Sequence, residues 1–234
     1  KRFKIAGCES TDPRIVKCVA STQLPLIITA GIGCNVEMIN KIIGWILEEN
    51  KKPDITFLHG NNAYPTPFED INLGQIKRLL YFQGAGSYFK SEFKVGLSDH
   101  TEGILVPPLA VAMGATTIEK HYTISRNLKG PDHKFAIEPT ELHDMVRNIR
   151  TAEKCVGIKT GSLTESEKNF RNATRSVVSK RKIGKGELLT EQNITTMRPS
   201  LEDSIPAIQY YDTLYKISTR TIEEGTVLYP GDVS

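Results

Sequence analysis

The sequence predicts an α/β fold: a (β/α)8 TIM barrel, of which this chain carries about five βα units, followed by a small, mostly β domain. Three observations support this prediction. Short β-type runs alternate with longer helical patterns as far as residue 157, polar side chains follow nearly every β-type run, and short runs joined by glycine turns take over beyond residue 174. Strands and helices that alternate with short connections are typical of parallel βα units.

The predicted strands of the barrel are short runs rich in apolar and β-branched residues. In chain order they are Phe3–Ala6, Leu26–Ala30, Ile55–His59, Phe93–Leu97 and Thr116–Glu119. The second run is continuously apolar between Pro25 and Gly31, which indicates a strand buried on both faces.

Between these strands, apolar residues recur at helical spacing. In chain order the predicted helices are 14–21, 36–47, 71–82, 103–113 and 139–156. Asp12 and Asn35 are the expected N-caps of the first two helices. Pro13 and Pro139 occupy first-turn positions, where proline is favoured because its missing N–H would have no helical partner.

Polar residues collect directly after the strands. They are Glu9, His59, Asn61, Asn62, Ser98, Asp99, His100, Glu119 and His121. In a (β/α)8 barrel these positions share one rim, where active sites lie, whereas a doubly wound sheet concentrates ligands at one crevice. Polar endings on nearly every strand therefore favour the barrel. Five strands would leave two bare sheet edges, so the missing strands belong either to a longer chain or to another one; we expect this chain to be the C-terminal part of a longer one.

The chain divides into a barrel domain at 1–157, a polar linker at 158–174 and the small β domain at 175–234. In the last of these, segments 175–179, 183–190, 193–199 and 216–228 are predicted short strands. A net charge of +3 argues against a nucleic-acid partner, and the lack of an apolar run near 20 residues argues against a membrane span. The four cysteines show neither CxxC pairing nor zinc-ligand spacing, which suits free thiols in a reducing cytoplasm.

Two predicted strands end on a histidine with a carboxylate close by. Asp99 precedes His100 in G-L-S-D-H-T-E-G, and Glu119 lies two residues before His121. Neutral imidazoles bind divalent cations, and neighbouring strand ends could bring two of them within ligand reach. The residues alone support a metal site and two hydrogen-bonded structural histidines about equally.

Other residues offer groups for an anionic substrate. Asn62 and Tyr64, in H-G-N-N-A-Y-P-T-P, carry uncharged donors for phosphate or carboxylate oxygens, although Asn and Pro are the usual turn residues and this segment alone favours a plain turn. Lys4 could supply a cation inside the barrel or reach out to solvent. Thr29 and Ser98 could line the same rim.

Together, several segments closely resemble the sialic acid synthase family over almost the whole chain. They are K-I-A-G-C-E, I-I-T-A-G, L-H-G-N-N-A-Y-P-T-P-F-E-D-I-N-L, G-L-S-D-H-T-E-G, A-V-A-M-G-A-T-T-I-E-K-H-Y-T and G-P-D-H-K-F-A-I-E-P. The tail beginning R-S-V-V-S-K resembles that family's antifreeze-like (SAF) domain. The resemblance implies a cytoplasmic transferase that condenses phosphoenolpyruvate with an N-acetylated hexosamine, such as N-acetylmannosamine, into a nonulosonic acid and releases phosphate.

The resemblance also implies roles for single residues. His100 and His121 match the ligands of a Mn²⁺ or Mg²⁺ ion and, with Lys4, form the expected catalytic set. The positions that match phosphoenolpyruvate-binding residues are Lys4, Thr29, Asn62, Tyr64 and Ser98. Glu9 and Asp132 match positions that hold sugar hydroxyls. Arg198 matches an arginine that reaches the sugar's acyl amide from the partner subunit of a domain-swapped homodimer.

Some features depart from the family pattern. Gly7 stands where a serine often donates to phosphate, and S-L-E-D-S-I-P replaces the usual turn after Arg198-Pro199. The family's first three barrel strands are missing, so we expect little or no synthase activity from these 234 residues alone. Two alternatives stay open: a metal-assisted aldolase or hydrolase on the same barrel, and a non-catalytic remnant whose small domain binds carbohydrate or a partner.

Overall fold

A computed structural model describes residues 1–33, 35–85, 92–157, 161 and 163–234. They form two compact units, residues 1–157 and 158–234. Cys8, Cys18 and Cys155 are free and exposed, whereas the thiol predicted at Cys34 and part of the predicted linker lie outside the described residues. Within the described ranges, no helix is both long enough and apolar enough to span a membrane.

The first unit is a parallel sheet of five strands in the order β1-β2-β3-β4-β5, with a helix after each strand. Its elements are β1 Phe3–Ile5, α1 Pro13–Ala20, β2 Leu26–Ala30, α2 Val36–Glu49, β3 Ile55–Gly60, α3 Gly74–Ala85, β4 Lys94–Asp99, α4 Val106–Ala112, β5 Thr117–Lys120 and α5 Pro139–Cys155. The five predicted βα units are confirmed.

The two faces of this sheet carry different residues, because successive side chains of a strand point to opposite sides. One face packs on the helices and forms the core of the unit. Its strand residues include Ile5, Leu26, Ile28, Ile55, Phe57, Val95 and Leu97. The alternate positions form the inner face, where Gly60, Ser98 and Glu119 are register partners across β3, β4 and β5. The inner face carries the polar residues near the strand ends.

The sheet is strongly curved. Lys4 Nζ, on β1, lies 3.1 Å from Glu119 Oε1, on β5, although three strands separate them. In a flat sheet, four strand spacings of about 4.8 Å would put the two backbones roughly 19 Å apart, further than both side chains reach together. The curvature is that of a barrel wall, with the first and last strands facing each other across the interior.

Helix boundaries follow local backbone signals. The predicted caps are confirmed: the Asp12 carboxylate accepts from Arg14 N at 2.9 Å, and Asn35 Oδ1 accepts from Met38 N at 3.0 Å. Two predicted helix starts were three residues too early. Asn72 has φ 47° and Gly103 has φ 72°, and α-helical geometry cannot include a residue in the left-handed region, so α3 and α4 begin after them.

The second unit contains the antiparallel pair β6 Ser176–Ser179 and β7 Ile194–Met197, and the short helix α6 Tyr210–Thr213. Its core is formed by Val177, Ile183, Leu189, Ile194, Ile205, Leu214, Ile222 and Leu228. The prediction of strands at 183–190 and 216–228 was wrong, because these segments make only isolated bridges. Gly186 and Gly225 adopt positive φ in turns that interrupt the pairing after a few residues.

Candidate active site

The C-terminal ends of β4 and β5 bring His100 and His121 together. Their ring centroids are 5.4 Å apart and the ring planes meet at 69°. Tyr64 stacks on His100 with a centroid separation of 4.1 Å, and Phe135 packs against His121 at 5.0 Å. These contacts hold both imidazoles in defined orientations at one rim of the sheet.

The hydrogen bonds of His100 fix its tautomer. Its Nδ1 lies 2.5 Å from the backbone oxygen of Asn61. A carbonyl oxygen can only accept, so Nδ1 carries the hydrogen and Nε2 keeps its lone pair in the neutral ring. Burial lowers the pKa of His100 and so favours the neutral ring, although the hydrogen bond to Asn61 acts in the opposite direction. Nε2 is therefore available to a cation or a proton, with Ser98 Oγ 3.4 Å away.

A chain of polar contacts crosses the inner face toward this histidine. Lys4 Nζ lies 3.1 Å from Glu119 Oε1, and Ser98 Oγ donates to the same oxygen at 2.7 Å. The cation predicted at Lys4 is thus present inside the curved sheet and already paired with a carboxylate. Ser98, 2% exposed, connects this pair to the neighbourhood of His100.

Thr29 carries a buried hydroxyl near the end of β2. The residue is 3% exposed, and its Oγ1 makes no hydrogen bond with any residue the structure describes. Gly60 separates it from Ser98: a Cβ at Gly60 would lie 3.1 Å from Thr29 Cγ2 and 3.2 Å from Ser98 Cβ. Leaving a buried hydroxyl unpaired is unfavourable, so we expect a ligand atom to accept a hydrogen bond from Thr29 Oγ1.

The loops after β1 and β3 touch each other at the rim. Asn62 Nδ2 lies 3.3 Å from Cys8 Sγ. Gly7 packs so closely that an added Cβ would lie 2.9 Å from Gly31 Cα and 3.1 Å from Asn62 Oδ1. The close contact between the two glycines explains why Gly7, rather than a serine, suits this chain.

Tyr64 and Asp132 lie beside the histidines. Burial, reinforced by nearby negative charges, raises the pKa of Tyr64, which keeps the phenol protonated as a donor. Asp132 Oδ2 lies 3.8 Å from His121 Nδ1, and Glu9 is exposed in the turn after β1. Arg198 belongs to the second unit, where it is exposed directly after β7.

The two imidazoles form the candidate donor set for a metal. In the described part of the chain, no three His, Cys, Asp or Glu side chains converge on a common point. The unprotonated Nε2 of His100 nevertheless has the chemistry of a ligand, and its Nδ1–H···O contact is the kind of second hydrogen bond that metal-binding histidines make. The residues fit an ion that completes its coordination with water or substrate oxygens.

Comparison with known proteins gives the family. The NeuB family model matches residues 1–161, and the SAF domain model matches residues 174–234. The chain belongs to the NeuB family. Its match to the N,N'-diacetyllegionaminic acid synthase of Campylobacter jejuni is 37% identical and covers 97% of this chain but 66% of that relative.

Solved structures extend the comparison with this NeuB-family chain. The N-acetylneuraminic acid (sialic acid) synthetase of Leptospira borgpetersenii, in complex with citrate, matches with a TM-score of 0.63 and 32% identity over 74% of this chain and 57% of that one. The spore coat polysaccharide biosynthesis protein SpsE of Bacillus subtilis matches with a TM-score of 0.58 and 30% identity over 100% of this chain and 67% of that one. The predicted fold class, a partial TIM barrel followed by a SAF domain, is confirmed.

The two carboxylates that the sequence places beside the histidines have different surroundings. Glu119 lies on the inner face, where it accepts from Ser98, whereas Asp99 faces the helices and pairs with Lys120 at 2.7 Å. Glu119 is absent from the predicted site although it joins Lys4 to Ser98. The period of two along a strand could have found it, since Glu119 lies two residues before its histidine and Asp99 only one.

Proposed function

We propose that this chain carries a large part of the active site of a nonulosonic acid synthase. In the reaction, C3 of phosphoenolpyruvate attacks the aldehyde carbon of an open-chain N-acetylated hexosamine and forms a C–C bond. Water adds to C2, and phosphate leaves as the C–O bond breaks. The observation that carries this proposal is the Thr29 hydroxyl, which has no partner among the described residues and lies on the inner face that also carries Lys4 and Ser98. Membership of the NeuB family supports it.

The anionic substrate would be held by cationic and neutral donors. In this proposal Lys4, Thr29, Asn62, Tyr64 and Ser98 hold the phosphate and carboxylate of phosphoenolpyruvate. A phosphoenolpyruvate oxygen accepts a hydrogen bond from the Thr29 hydroxyl, and the phosphoenolpyruvate oxygens compete with Glu119 for the ammonium group of Lys4. Tyr64 contributes its protonated phenol and keeps the ring of His100 in place by stacking.

His100 and His121 would hold Mn²⁺ in preference to Mg²⁺, because imidazole nitrogens suit Mn²⁺ better than an ion that prefers oxygen. When bound, such an ion supplies Lewis acidity that polarises the sugar aldehyde. Asp132 and Glu9 accept hydrogen bonds from sugar hydroxyls. Arg198 would reach the acyl amide of the sugar from the partner subunit of a domain-swapped homodimer.

The test combines binding with turnover. Phosphate release from phosphoenolpyruvate is measured in the longer chain predicted from the sequence, with Mn²⁺ and either N-acetylmannosamine or a diacetamido hexose. Binding of phosphoenolpyruvate to these 234 residues is followed by the thermal unfolding temperature. His100→Ala and His121→Ala should each reduce Mn²⁺-dependent phosphate release by about 100-fold or more. His143→Ala is the matched control, because His143 is an exposed histidine on α5.

Release with only the diacetamido sugar would keep the mechanism and change the acceptor. If these 234 residues do not bind phosphoenolpyruvate and the longer chain releases no phosphate with either sugar, the proposal is wrong. Sugar cleavage without phosphate release would then favour the aldolase, and carbohydrate binding alone would favour the non-catalytic remnant.

A further inference from the structure

A buried ion pair lies behind the two histidines, on the helix-facing side of the sheet. Asp99 ends β4 and Lys120 ends β5, and the two residues are register partners. Lys120 Nζ lies 2.7 Å from Asp99 Oδ2, and the side chains are 4% and 0% exposed, respectively. Each residue directly precedes one of the histidines, yet neither takes part in the chemistry proposed above.

The pair is completed by hydrogen bonds to the residue after His100. Asp99 Oδ1 accepts from Thr101 N at 2.9 Å and from Thr101 Oγ1 at 2.8 Å. Lys120 Nζ also donates to the Thr101 backbone oxygen at 2.5 Å. The backbone is therefore anchored on both sides of His100, and one of the anchors is the residue that precedes His121.

The β5 side is held in the same way. The backbone oxygen of His121 accepts from Ile137 N at 3.0 Å, so His121 is fixed both by Lys120 before it and by its own carbonyl. The ends of β4 and β5 are bonded to each other directly behind the histidines, so one strand end cannot move without the other. The backbone positions of His100 and His121 are therefore coupled.

Stability alone does not account for this arrangement. Removing two charges from water is so unfavourable that a buried ion pair seldom stabilises a fold more than apolar side chains of the same size. Hydrogen-bonded partners behind metal ligands, by contrast, set ligand orientation and strongly affect metal affinity. We propose that the Asp99–Lys120 pair is a positioning device that fixes the spacing and orientation of His100 and His121 as metal ligands. This inference rests on the proposed function, because it takes both histidines as ligands.

The test is the Mn²⁺ dissociation constant of the chain without substrates, measured from the electron paramagnetic resonance signal of free Mn²⁺. Asp99→Asn/Lys120→Met removes both charges, keeps side chains of similar size and leaves an oxygen that accepts from Thr101. We expect Mn²⁺ binding to weaken by about 10- to 100-fold.

The chain offers a matched control of the same chemical type. Lys94 Nζ lies 3.0 Å from Asp54 Oδ1 at the opposite end of the sheet, and both side chains are more than half exposed. Asp54→Asn/Lys94→Met should leave Mn²⁺ affinity unchanged. Unfolding temperatures of both double variants separate loss of ligand geometry from loss of fold.

The outcomes distinguish the two proposals. If His100→Ala/His121→Ala abolishes Mn²⁺ binding while Asp99→Asn/Lys120→Met binds as tightly as the unsubstituted chain, the positioning role is refuted and the metal site stands. If the histidine variant binds normally, or the unsubstituted chain does not bind Mn²⁺, both fail. If Asp99→Asn/Lys120→Met does not fold, Thr101→Val is tested instead, because it removes the hydroxyl that donates to Asp99 and keeps nearly the same shape. We expect this variant to bind Mn²⁺ several-fold more weakly, and unchanged Mn²⁺ affinity would refute the inference.

Discussion

Replacing Thr29 by valine should have opposite effects on stability and on substrate binding. The hydroxyl is buried and has no hydrogen-bond partner among the residues that the structure describes, and an unsatisfied group of this kind costs about 1–3 kcal/mol. Valine has nearly the same shape and no polar atom. We therefore expect Thr29→Val to stabilise the ligand-free first unit by about 1 kcal/mol, which raises the unfolding temperature of a unit of this size by roughly 2–4 °C.

Thr123→Val is the matched control. Thr123 is also 3% exposed, but its Oγ1 bonds the Ser125 backbone oxygen at 3.0 Å and His133 Nδ1 at 2.8 Å. Removing a satisfied hydroxyl leaves its partners unpaired, so this variant should lose about 1–3 kcal/mol of unfolding free energy. Fluorescence of Trp45, the single tryptophan of the sequence, reports on the first unit in both cases because it lies in α2.

Binding should change in the other direction. In the proposed function, Thr29 donates to a charged oxygen of phosphoenolpyruvate, and such a bond contributes about 1.5–3 kcal/mol. Thr29→Val should therefore weaken phosphoenolpyruvate binding, measured by calorimetry, by roughly 10- to 100-fold. A fall in unfolding temperature as large as that of the control would show that the hydroxyl is already satisfied. Unchanged affinity would refute its role as a ligand donor.

Two further predictions concern packing and pH. Gly7→Ser should lower the unfolding free energy by about 1–3 kcal/mol, because its Cβ would overlap the backbone after β2. Gly74→Ser, where an added Cβ meets no atom within 4 Å, is the control for thermal unfolding, and equal effects would contradict the packing argument. In the second unit, hydrogen bonds from Gly184 N, Arg181 and Asn193 lower the pKa of Glu187 from 4.5 to about 2. A carboxyl with a lowered pKa stabilises the fold above pH 4.5, and this stabilisation is lost as pH falls toward 2. Glu187→Gln should therefore flatten the pH dependence of amide exchange in β6 and β7 over that range. An unchanged slope would contradict this role of Glu187.

The fold was predictable where local signals are complete. The strand 26–30 was predicted residue by residue, because Pro25 and Gly31 bound a continuous apolar run. The start of α3 was missed because Asn72 adopts a positive φ, a conformation that asparagine favours too weakly for the residue type alone to predict it. The small domain was harder still, since its segments pair through isolated bridges that depend on distant partners.

The site was predictable where local sequence motifs identify its residues. Strand endings identified His100 and His121 as neighbours, and the structure brings them together. The contact between Lys4 and Glu119 joins residues far apart in the sequence and depends on the curvature of the whole sheet, so no local pattern contains it. The same applies to the unpaired state of Thr29, which is defined by what surrounds it.

The contact between Lys4 and Glu119 also affects how an anion can enter and leave. Glu119 is a tethered competitor, a carboxylate that stays within reach of the ammonium group when a ligand takes its place. The affinity of an anion for Lys4 then depends on the difference in free energy between the contacts that the anion makes with Lys4 and the Glu119 contacts that it replaces. In the proposed function, a phosphate released at this position would face a returning carboxylate that favours its departure, and the lysine would be neutralised again before the next substrate arrived.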